Sequence, residues 1–175
     1  MFYMWTQAIR SWGSKQRVLL VLLTLAACTG CDQQTKALAA EHLRGRDAIS
    51  FIGGAVRLDY AENPGAFLSL GDSLPAEWRT AVFTVGASLG ITAVLLYTLL
   101  RTRSRWETLA LALMCGGGLG NLIDRVLFAG YVRDFMIVGI GPLHTGIFNF
   151  ADMFLMAGCA VWIGSQRAAA AAKSR

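Results

Sequence analysis

Charged side chains are scarce in this chain, which argues against an ordinary soluble domain. They make up 15% of the 175 residues, whereas a soluble domain carries about 25%. Hydrophobic residues supply 55% of the sequence. The net charge of +5 lies in short basic clusters between apolar runs, which is the pattern of membrane orientation and not of a phosphate-binding face. The sequence therefore predicts one membrane domain over residues 1–175 and no nucleic-acid partner.

Histidine and cysteine are also too few and too scattered to indicate a metal site. The two histidines, His42 and His144, are isolated, and the absence of an HExxH motif argues against a zinc peptidase. Of the four cysteines, only Cys28 and Cys31 are close together, in CTGC. A zinc or redox role would require a second ligand pair or a βαβ setting, and neither is present. We therefore expect no metal and no cofactor.

Four apolar runs are predicted to span a membrane. They lie at about residues 17–43, 79–100, 106–125 and 147–166. The first has an apolar core of about 14 residues, whereas a span needs about 20, but its helical pattern continues beyond Cys28, with Asp32 and Lys36 at i and i+4. A basic N-terminal region, a short apolar run and LAAC also fit a bacterial lipoprotein signal in which Cys28 is lipidated. At this point both interpretations of the N-terminus stay open.

Residues 44–77 are predicted to form a small platform outside the membrane. Ala48–Leu58 indicates two short strands around Gly53 and Gly54, and the segment DYAENPGAFLSLGDS that begins at Asp59 is rich in turn-forming and small residues. Met136–Gly146 is also glycine-rich, and the sequence does not decide whether it is a mobile flap. The predicted fold class is an all-α integral membrane protein with four transmembrane helices and a small β-rich platform.

Basic residues predict which helix ends face the cytoplasm. They precede the first span, fill the loop between the second and third, and follow the fourth: Arg10, Lys15, Arg17; Arg101, Arg103, Arg105; Arg167, Lys173, Arg175. By the positive-inside rule, both termini and this loop are cytoplasmic. The third span then ends at the outer membrane edge at Asp124, and the fourth begins there near Asp152. Charge and hydropathy thus predict two acids at one membrane edge.

Two nearby carboxyl groups at a low-dielectric boundary favour one particular chemistry. They share a proton, so that one accepts a proton from water and the other polarises an amide carbonyl. Structural pairing is the alternative, with Asp124 bound to Arg125 or Arg133 and Asp152 bound to Asn149. A small proton-coupled transporter that uses Asp124 and Asp152 is a further alternative, as is a structural membrane subunit.

Five ordered motifs resemble those of one peptidase family. GNLIDR, GYVRDF and FNFAD, together with DQQTK and ENPGAF, are similar to the signature of lipoprotein signal peptidase (signal peptidase II). The resemblance covers about Arg17–Ser165. It implies a four-helix aspartic endopeptidase of the bacterial inner membrane, with a small β-rich periplasmic platform and its active site at the periplasmic edge. The implied reaction is cleavage of diacylated prolipoproteins on the amino side of the diacylglyceryl-cysteine. Membrane lipid is the other implied partner, and we expect a monomer.

The resemblance also implies a role for each matching residue. Asp124 and Asp152 would be the catalytic pair, and Asp134 is expected to be structural, with a role as a third acid as the alternative. The residues expected to frame the pair, hold the substrate or brace the first helix are Asn63, Gly65, Asn121, Arg125, Asn149, Ala151, Asp32 and Lys36.

Two further sequence features lead to predictions: the residues at positions 67 and 68, and Cys28. Phe67 and Leu68 stand where the family commonly has alanine and phenylalanine, so we expect a differently lined cleft. Because Asp32 and Lys36 belong to the implied fold, we also expect that Cys28 is neither lipidated nor a cleavage point. A mature protein that begins at Cys28 and carries lipid, detected as an intact mass, would contradict this expectation.

Overall fold

Helices make up most of the chain. In the computed structural model, which describes residues 13–65, 75–102 and 104–173, helix α1 is Ser14–Leu43, α3 is Arg105–Leu127 and α4 is Phe150–Lys173. Helix α2 is continuous but changes geometry, with an α-helical turn at Ala76–Arg79, a π-helical stretch at Thr80–Gly86 and an α-helix at Ala87–Arg101.

Length and composition assign three of these helices as candidate membrane spans. Within the described residues they are α1, the Glu77–Arg101 part of α2, and α3. The apolar part of α4 lies between Asp152 and Gln166, and at 1.5 Å per residue it covers about 20 Å, less than the roughly 30 Å of a hydrocarbon core. The predicted helical membrane fold is therefore supported, but the fourth predicted span is not among the three candidate spans of the described residues.

The remaining regular structure is one antiparallel sheet with the strand order β1-β2-β3-β4. The strands are β1 (Ile49–Phe51), β2 (Val56–Asn63), β3 (Val132–Ile140) and β4 (Leu143–His144). The predicted hairpin is confirmed, because β1 pairs with β2 through Phe51 and Val56. Gly53 and Gly54 in its turn have φ values of 62° and 91°, which glycine adopts without steric cost. The sheet also takes two strands from outside the predicted 44–77 platform.

The sheet packs against the C-terminal part of α1. Ala39 and Leu43 form a buried apolar cluster with Phe135 of β3, and Phe150 at the start of α4 packs against it. This cluster holds β3 beside the first turn of α4. Because Phe135 immediately follows Asp134, the packing places the acid of the VRDF motif near that of the FNFAD motif.

Glycines allow α3 to approach its neighbours closely. A Cβ atom at Gly117 would collide with the Ala151 carbonyl oxygen in α4. A Cβ at Gly116 would lie 2.7 Å from the Cys28 Cβ atom in α1, which is itself buried within a continuous helix. Small residues at such positions let helix backbones meet, and here they bring the polar residues of α1, α3 and α4 together.

Candidate active site

The site lies where the C-terminal end of α3, the C-terminal half of α1, the start of β3 and the first turn of α4 meet. Most of the predicted site residues are buried here, although burial of ionised side chains is rare unless they are paired. The buried members of the predicted set are Asp32, Lys36, Asn63, Gly65, Asn121, Asp124, Asp134, Asn149, Ala151 and Asp152. The structure therefore brings together residues that are up to 120 positions apart, from Asp32 to Asp152.

Asp124 is bound by cations on both carboxylate oxygens. Arg133 donates from its backbone N–H and from Nε to Oδ2 at 2.9 and 3.1 Å, and from Nη2 to Oδ1 at 2.8 Å. Lys36 lies 3.5 Å from Oδ2, and Gln33 donates to Oδ1 at 3.0 Å. The carboxylate has no exposed surface. Such charge-assisted bonds stabilise the ionised form of Asp124.

Lys36 connects this acid to Asp32. Its ammonium group lies 2.8 Å from Asp32 Oδ2, and both side chains are fully buried. Asp32 in turn accepts a hydrogen bond from the Ala151 backbone N–H at 2.9 Å. The predicted i,i+4 pair is therefore present, and it joins α1 to the N-terminus of α4, where the helix dipole favours a negative charge.

Asn149 and Asp152 cap helix α4 reciprocally. The Asp152 N–H donates to Asn149 Oδ1 at 3.1 Å, and the Asn149 N–H donates to Asp152 Oδ2 at 3.2 Å. This is the geometry of a capping box, with Asn149 at the N-cap position. Local sequence thus explains why the FNFAD motif begins a helix and why Asp152 is held at its first turn.

Asp134 is bound by amides. Asn63 donates to its Oδ2 at 2.9 Å and Asn149 to its Oδ1 at 2.6 Å. Burial raises the pKa of Asp134 to about 7, and the negative charge of Asp152 acts in the same direction, whereas the two amide hydrogen bonds act in the opposite one. Asp134 is therefore poised to gain or lose a proton near neutral pH.

Asn121 links the cation-bound acids to Asp152. Lys36 Nζ donates to Asn121 Oδ1 at 2.8 Å, and Asn121 Nδ2 donates to Asp152 Oδ1 at 3.0 Å. Because the lysine can only donate, it fixes the amide so that its NH₂ group faces Asp152. The Asn149 side chain also donates to Asn121 Oδ1, at 3.0 Å.

An apolar groove of about 410 Å³ leads to this cluster from between α2, α3 and α4. Asn121, Arg125 and Asp152 lie along it. Arg125 also donates to the Gly65 carbonyl oxygen at 2.8 Å, so it connects α3 to the segment after β2. The other lining residues are apolar or small: Val82, Phe83, Ala87, Gly90, Ile91, Val94, Met114, Cys115, Gly118 and Leu155.

Comparison with known proteins identifies the family. Residues 18–166 match the family described as Signal peptidase (SPase) II. The chain belongs to the signal peptidase II family. The predicted family and the predicted enzyme class are therefore confirmed, and the match extends over nearly the same residues as the five motifs.

Individual relatives of the signal peptidase II family agree along most of their length. The lipoprotein signal peptidase of Moorella thermoacetica is 38% identical over 143 residues, which cover 81% of this chain and 85% of the relative. That of Syntrophus aciditrophicus is 33% identical over 146 residues, with 82% and 89% covered. A solved bacterial membrane enzyme superposes with a TM-score of 0.70 at 25% identity and covers 87% of each chain.

Gln33 was not among the predicted residues of this signal peptidase II site, and Arg133 was considered only as a structural partner of Asp124. Both lie within the DQQTK and GYVRDF motifs, and both contact Asp124. The structural pairings considered from sequence are both present, between Asp124 and Arg133 and between Asp152 and Asn149. The altered positions Phe67 and Leu68 lie outside the described residues.

No metal site is apparent in the described part of the chain. Within residues 13–65, 75–102 and 104–173, histidine, cysteine and acidic side chains form no group of three or more that could hold a metal ion. The acids of the site are instead bound by cations and amides of the protein.

Proposed function

We propose that this chain removes signal peptides from prolipoproteins, using a water molecule activated between Asp134 and Asp152. The observation that carries the proposal is the Asn149 side chain, which donates to Asp134 while its backbone N–H donates to Asp152. Both carboxyl groups are buried, and within the described residues neither forms a salt bridge. An acid that no cation holds can accept and release a proton during a reaction.

Charge balance supports one shared proton at this pair. The site contains four carboxyl groups and three cations; these are Asp32, Asp124, Asp134 and Asp152, with Lys36, Arg125 and Arg133. Since uncompensated buried charge is costly, one proton on the four acids gives the neutral state. The pKa of Asp134, near 7, favours that acid as the one that carries the proton.

The arrangement is suited to hydrolysis of an amide bond. Asp152 accepts a proton from water as the water oxygen bonds to the scissile carbonyl carbon, and protonated Asp134 donates a hydrogen bond to the carbonyl oxygen. The tetrahedral intermediate then collapses, the C–N bond breaks, and the leaving nitrogen receives a proton from the pair. The acid and base roles follow from two carboxyl groups in different environments.

This proposal changes the role that the sequence predicts for Asp124. Both of its oxygens already accept several hydrogen bonds, and its carboxylate is fully buried. A carboxylate held by a guanidinium and an ammonium group is a poor proton acceptor. We therefore propose that Asp124 positions the site, and that Asp134 is the partner of Asp152.

The groove fits a substrate that is apolar along most of its length. It lies between helices α2, α3 and α4 and is lined in part by Asp152 and Arg125, so a signal peptide in the bilayer could reach Asp152 laterally. We propose that the substrate is a diacylated prolipoprotein, cut on the amino side of its diacylglyceryl-cysteine, with the lipid chains remaining in the surrounding membrane.

The opposite ends of the helices support the proposed orientation. Arg17 near the start of α1 donates to the carbonyl oxygen of Thr102, just after α2, and Arg105 begins α3. Basic residues thus gather at the ends far from the acids, as the positive-inside rule requires of a cytoplasmic face. We propose that both termini are cytoplasmic and that the site faces the periplasm at the inner membrane.

Cleavage of a synthetic diacylated prolipoprotein by purified variants tests this proposal. Asp134→Asn and Asp152→Asn should each lower the rate by about 100-fold to 10,000-fold, because each removes a proton-transfer group. Asp124→Asn should retain measurable cleavage, and Asp47→Asn, an exposed acid on the platform, serves as the matched control. Near-normal cleavage by Asp134→Asn together with complete loss in Asp124→Asn would instead support the Asp124–Asp152 pair.

A further inference from the structure

We propose that Arg133 is a positioning residue that sets both the place and the charge of the catalytic pair, although it touches neither of its carboxyl groups. This inference rests on the proposed function of Asp134 and Asp152. Arg133 directly precedes Asp134 in strand β3. Successive side chains of a strand point to opposite faces, so fixing Arg133 on one face orients Asp134 on the other.

The contacts of Arg133 join three elements. Its guanidinium group donates to both oxygens of Asp124 in α3 and, through Nη2, to Gln33 Oε1 in α1 at 3.0 Å. Its backbone N–H donates to the same Asp124 carboxylate at 2.9 Å. A planar guanidinium group can satisfy two carboxylate oxygens at once, which an ammonium group cannot do. The start of β3 is therefore tied to α3 and α1 immediately before the proposed catalytic acid.

An aromatic ring protects this contact from water. The guanidinium carbon of Arg133 lies 4.3 Å from the centre of the Phe128 ring, and the Arg133 side chain is 10% exposed. Exclusion of solvent strengthens electrostatic interactions. The charge of Arg133 is thus felt across the cluster and is not screened as a surface charge would be.

Arg133 also completes a neutral quartet beside the catalytic pair. Asp32 and Asp124 carry two negative charges, and Lys36 and Arg133 carry two positive charges. The other groups that face Asp134 are Asp152 from α4, Arg125 from α3, and the uncharged amides of Asn63 from β2 and Asn149 before α4. Removal of Arg133 leaves one uncompensated negative charge, whereas removal of the Asp124 charge leaves one uncompensated positive charge.

Removing the positive charge of Arg133 and removing the negative charge of Asp124 should move the pH dependence of cleavage in opposite directions. Arg133→Met should move the whole pH–rate profile to higher pH, because extra negative charge favours the protonated form of Asp134. Asp124→Asn should move it to lower pH. Each displacement is expected to be on the order of one pH unit, as for a unit charge several ångströms away at an effective dielectric constant of about 20. The double variant Arg133→Met/Asp124→Asn restores charge balance and should return the profile towards that of the unaltered enzyme.

Arg133→Lys separates charge from geometry. It keeps the positive charge but loses the paired contacts, so its pH–rate profile should stay in place while kcat falls. Thermal unfolding of each variant in detergent reports whether it is folded. If Arg133→Met fails to accumulate, the pH–rate profiles of Arg133→Lys and Asp124→Asn can still be compared. If Arg133 has a purely structural role, kcat falls but the pH–rate profiles of Arg133→Met and Asp124→Asn are not displaced in opposite directions. The profile of Asp124→Asn then also coincides with that of Arg133→Lys. These coincident profiles would overturn the proposal.

The same experiment distinguishes this proposal from the proposed function. If Asp134 is not catalytic, Asp134→Asn stays active, whatever the pH–rate profiles of the Arg133 variants are. If Asp134 is catalytic but Arg133 does not control its charge, Asp134→Asn is inactive while the profiles of Arg133→Met and Asp124→Asn coincide with that of the unaltered enzyme. Only an inactive Asp134→Asn variant together with opposite displacements supports both proposals.

Discussion

Two groups of buried acids lie side by side in this enzyme, and they differ in what binds them. In the first group, Asp32 and Asp124 are held by Lys36 and Arg133 at 2.8 Å. In the second group, which contains Asp134 and Asp152, the partners are the amides of Asn63, Asn121 and Asn149. Cations hold an acid in its ionised form, whereas neutral amides leave its proton free to move. We therefore propose that the bound partner, and not burial or motif, distinguishes the acids that stabilise the fold from those that react.

The two groups also depend on each other. Lys36 donates to the carbonyl of Asn121, whose NH₂ group donates to Asp152. Arg133 holds the strand that carries Asp134. The first group thus orients the second, and three changes separate the contribution of each.

Loss of the cation in the first group should have the largest effect. Lys36→Met leaves Asp32 and Asp124 with one cation between them, and a broken buried ion pair costs about 3 to 5 kcal/mol of the free energy of unfolding. Chemical unfolding in detergent micelles measures this loss. The control is Glu62→Gln, which removes an ion pair with Arg44. The Glu62 side chain is 41% exposed and that of Arg44 is 64% exposed, so this change should cost less than about 1 kcal/mol of the free energy of unfolding. Equal losses in the two variants would contradict the framework role.

Shortening the amide that joins the second group should affect rate more than stability. Asn149→Ser keeps an oxygen at the N-cap of α4 but cannot reach Asp134, so cleavage should slow by about 100-fold, as for loss of one donor at an active site. The free energy of unfolding should change little, because serine is a good N-cap. Asn149→Ala removes both the N-cap hydrogen bond and the hydrogen bond to Asp134, and it should lower the free energy of unfolding by about 1 kcal/mol in addition. Unchanged kcat in Asn149→Ser would show that the hydrogen bond from the Asn149 side chain to Asp134 does not contribute to the reaction.

The third expected effect is a pH dependence of stability that originates at Asp134. Its pKa is raised from 3.8 to about 7, so the folded chain binds more protons than the unfolded chain between these values. Stability should therefore fall as pH rises from about 4 to about 7, by at most about 1.4 kcal/mol per pH unit. Asp134→Asn should flatten this fall in unfolding measurements across that range, and Asp47→Asn should leave it in place. A slope that survives in Asp134→Asn would assign the pH dependence to another group.

Local patterns in the sequence predicted much of the framework. Apolar runs indicated the helices, Gly53 and Gly54 indicated the hairpin, and the i,i+4 spacing of Asp32 and Lys36 indicated their pairing. These features depend on residues that are close in sequence. Hydropathy and charge likewise predicted that the fourth helix begins near Asp152, where the capping box with Asn149 holds this acid.

Local patterns named possible partners for the acids but could not decide between Arg125 and Arg133 for Asp124, and they gave no partner for Asp134. Asp124 is bound by Arg133 because Val132–Ile140 is a strand whose side chains alternate between its faces. The sequence there is nearly continuous in apolar residues and part of it is glycine-rich, so neither strand nor alternation was evident. Which of two neighbouring residues faces Asp124 and which faces Asn149 depends on the pairing of β3 with β2 through Asp134 and Ala61, which joins distant parts of the chain.

The close contact between α1 and α3 has a consequence for how the enzyme avoids its own activity. LAAC in α1 resembles the segment that such a peptidase cuts, with Cys28 in the place of the lipid-bearing residue. In the folded chain, Cys28 is buried against Gly116, and the helix continues unbroken from Ser14 to Leu43. Proteolysis is favoured at exposed, unstructured backbone. Ala26 and Ala27 are exposed, but they lie within the helix, so we expect a second enzyme molecule to spare the Ala27–Cys28 bond. Glycine at position 116 lets Cys28 pack directly against α3, and we expect this contact to keep the segment helical and so to protect it from self-digestion.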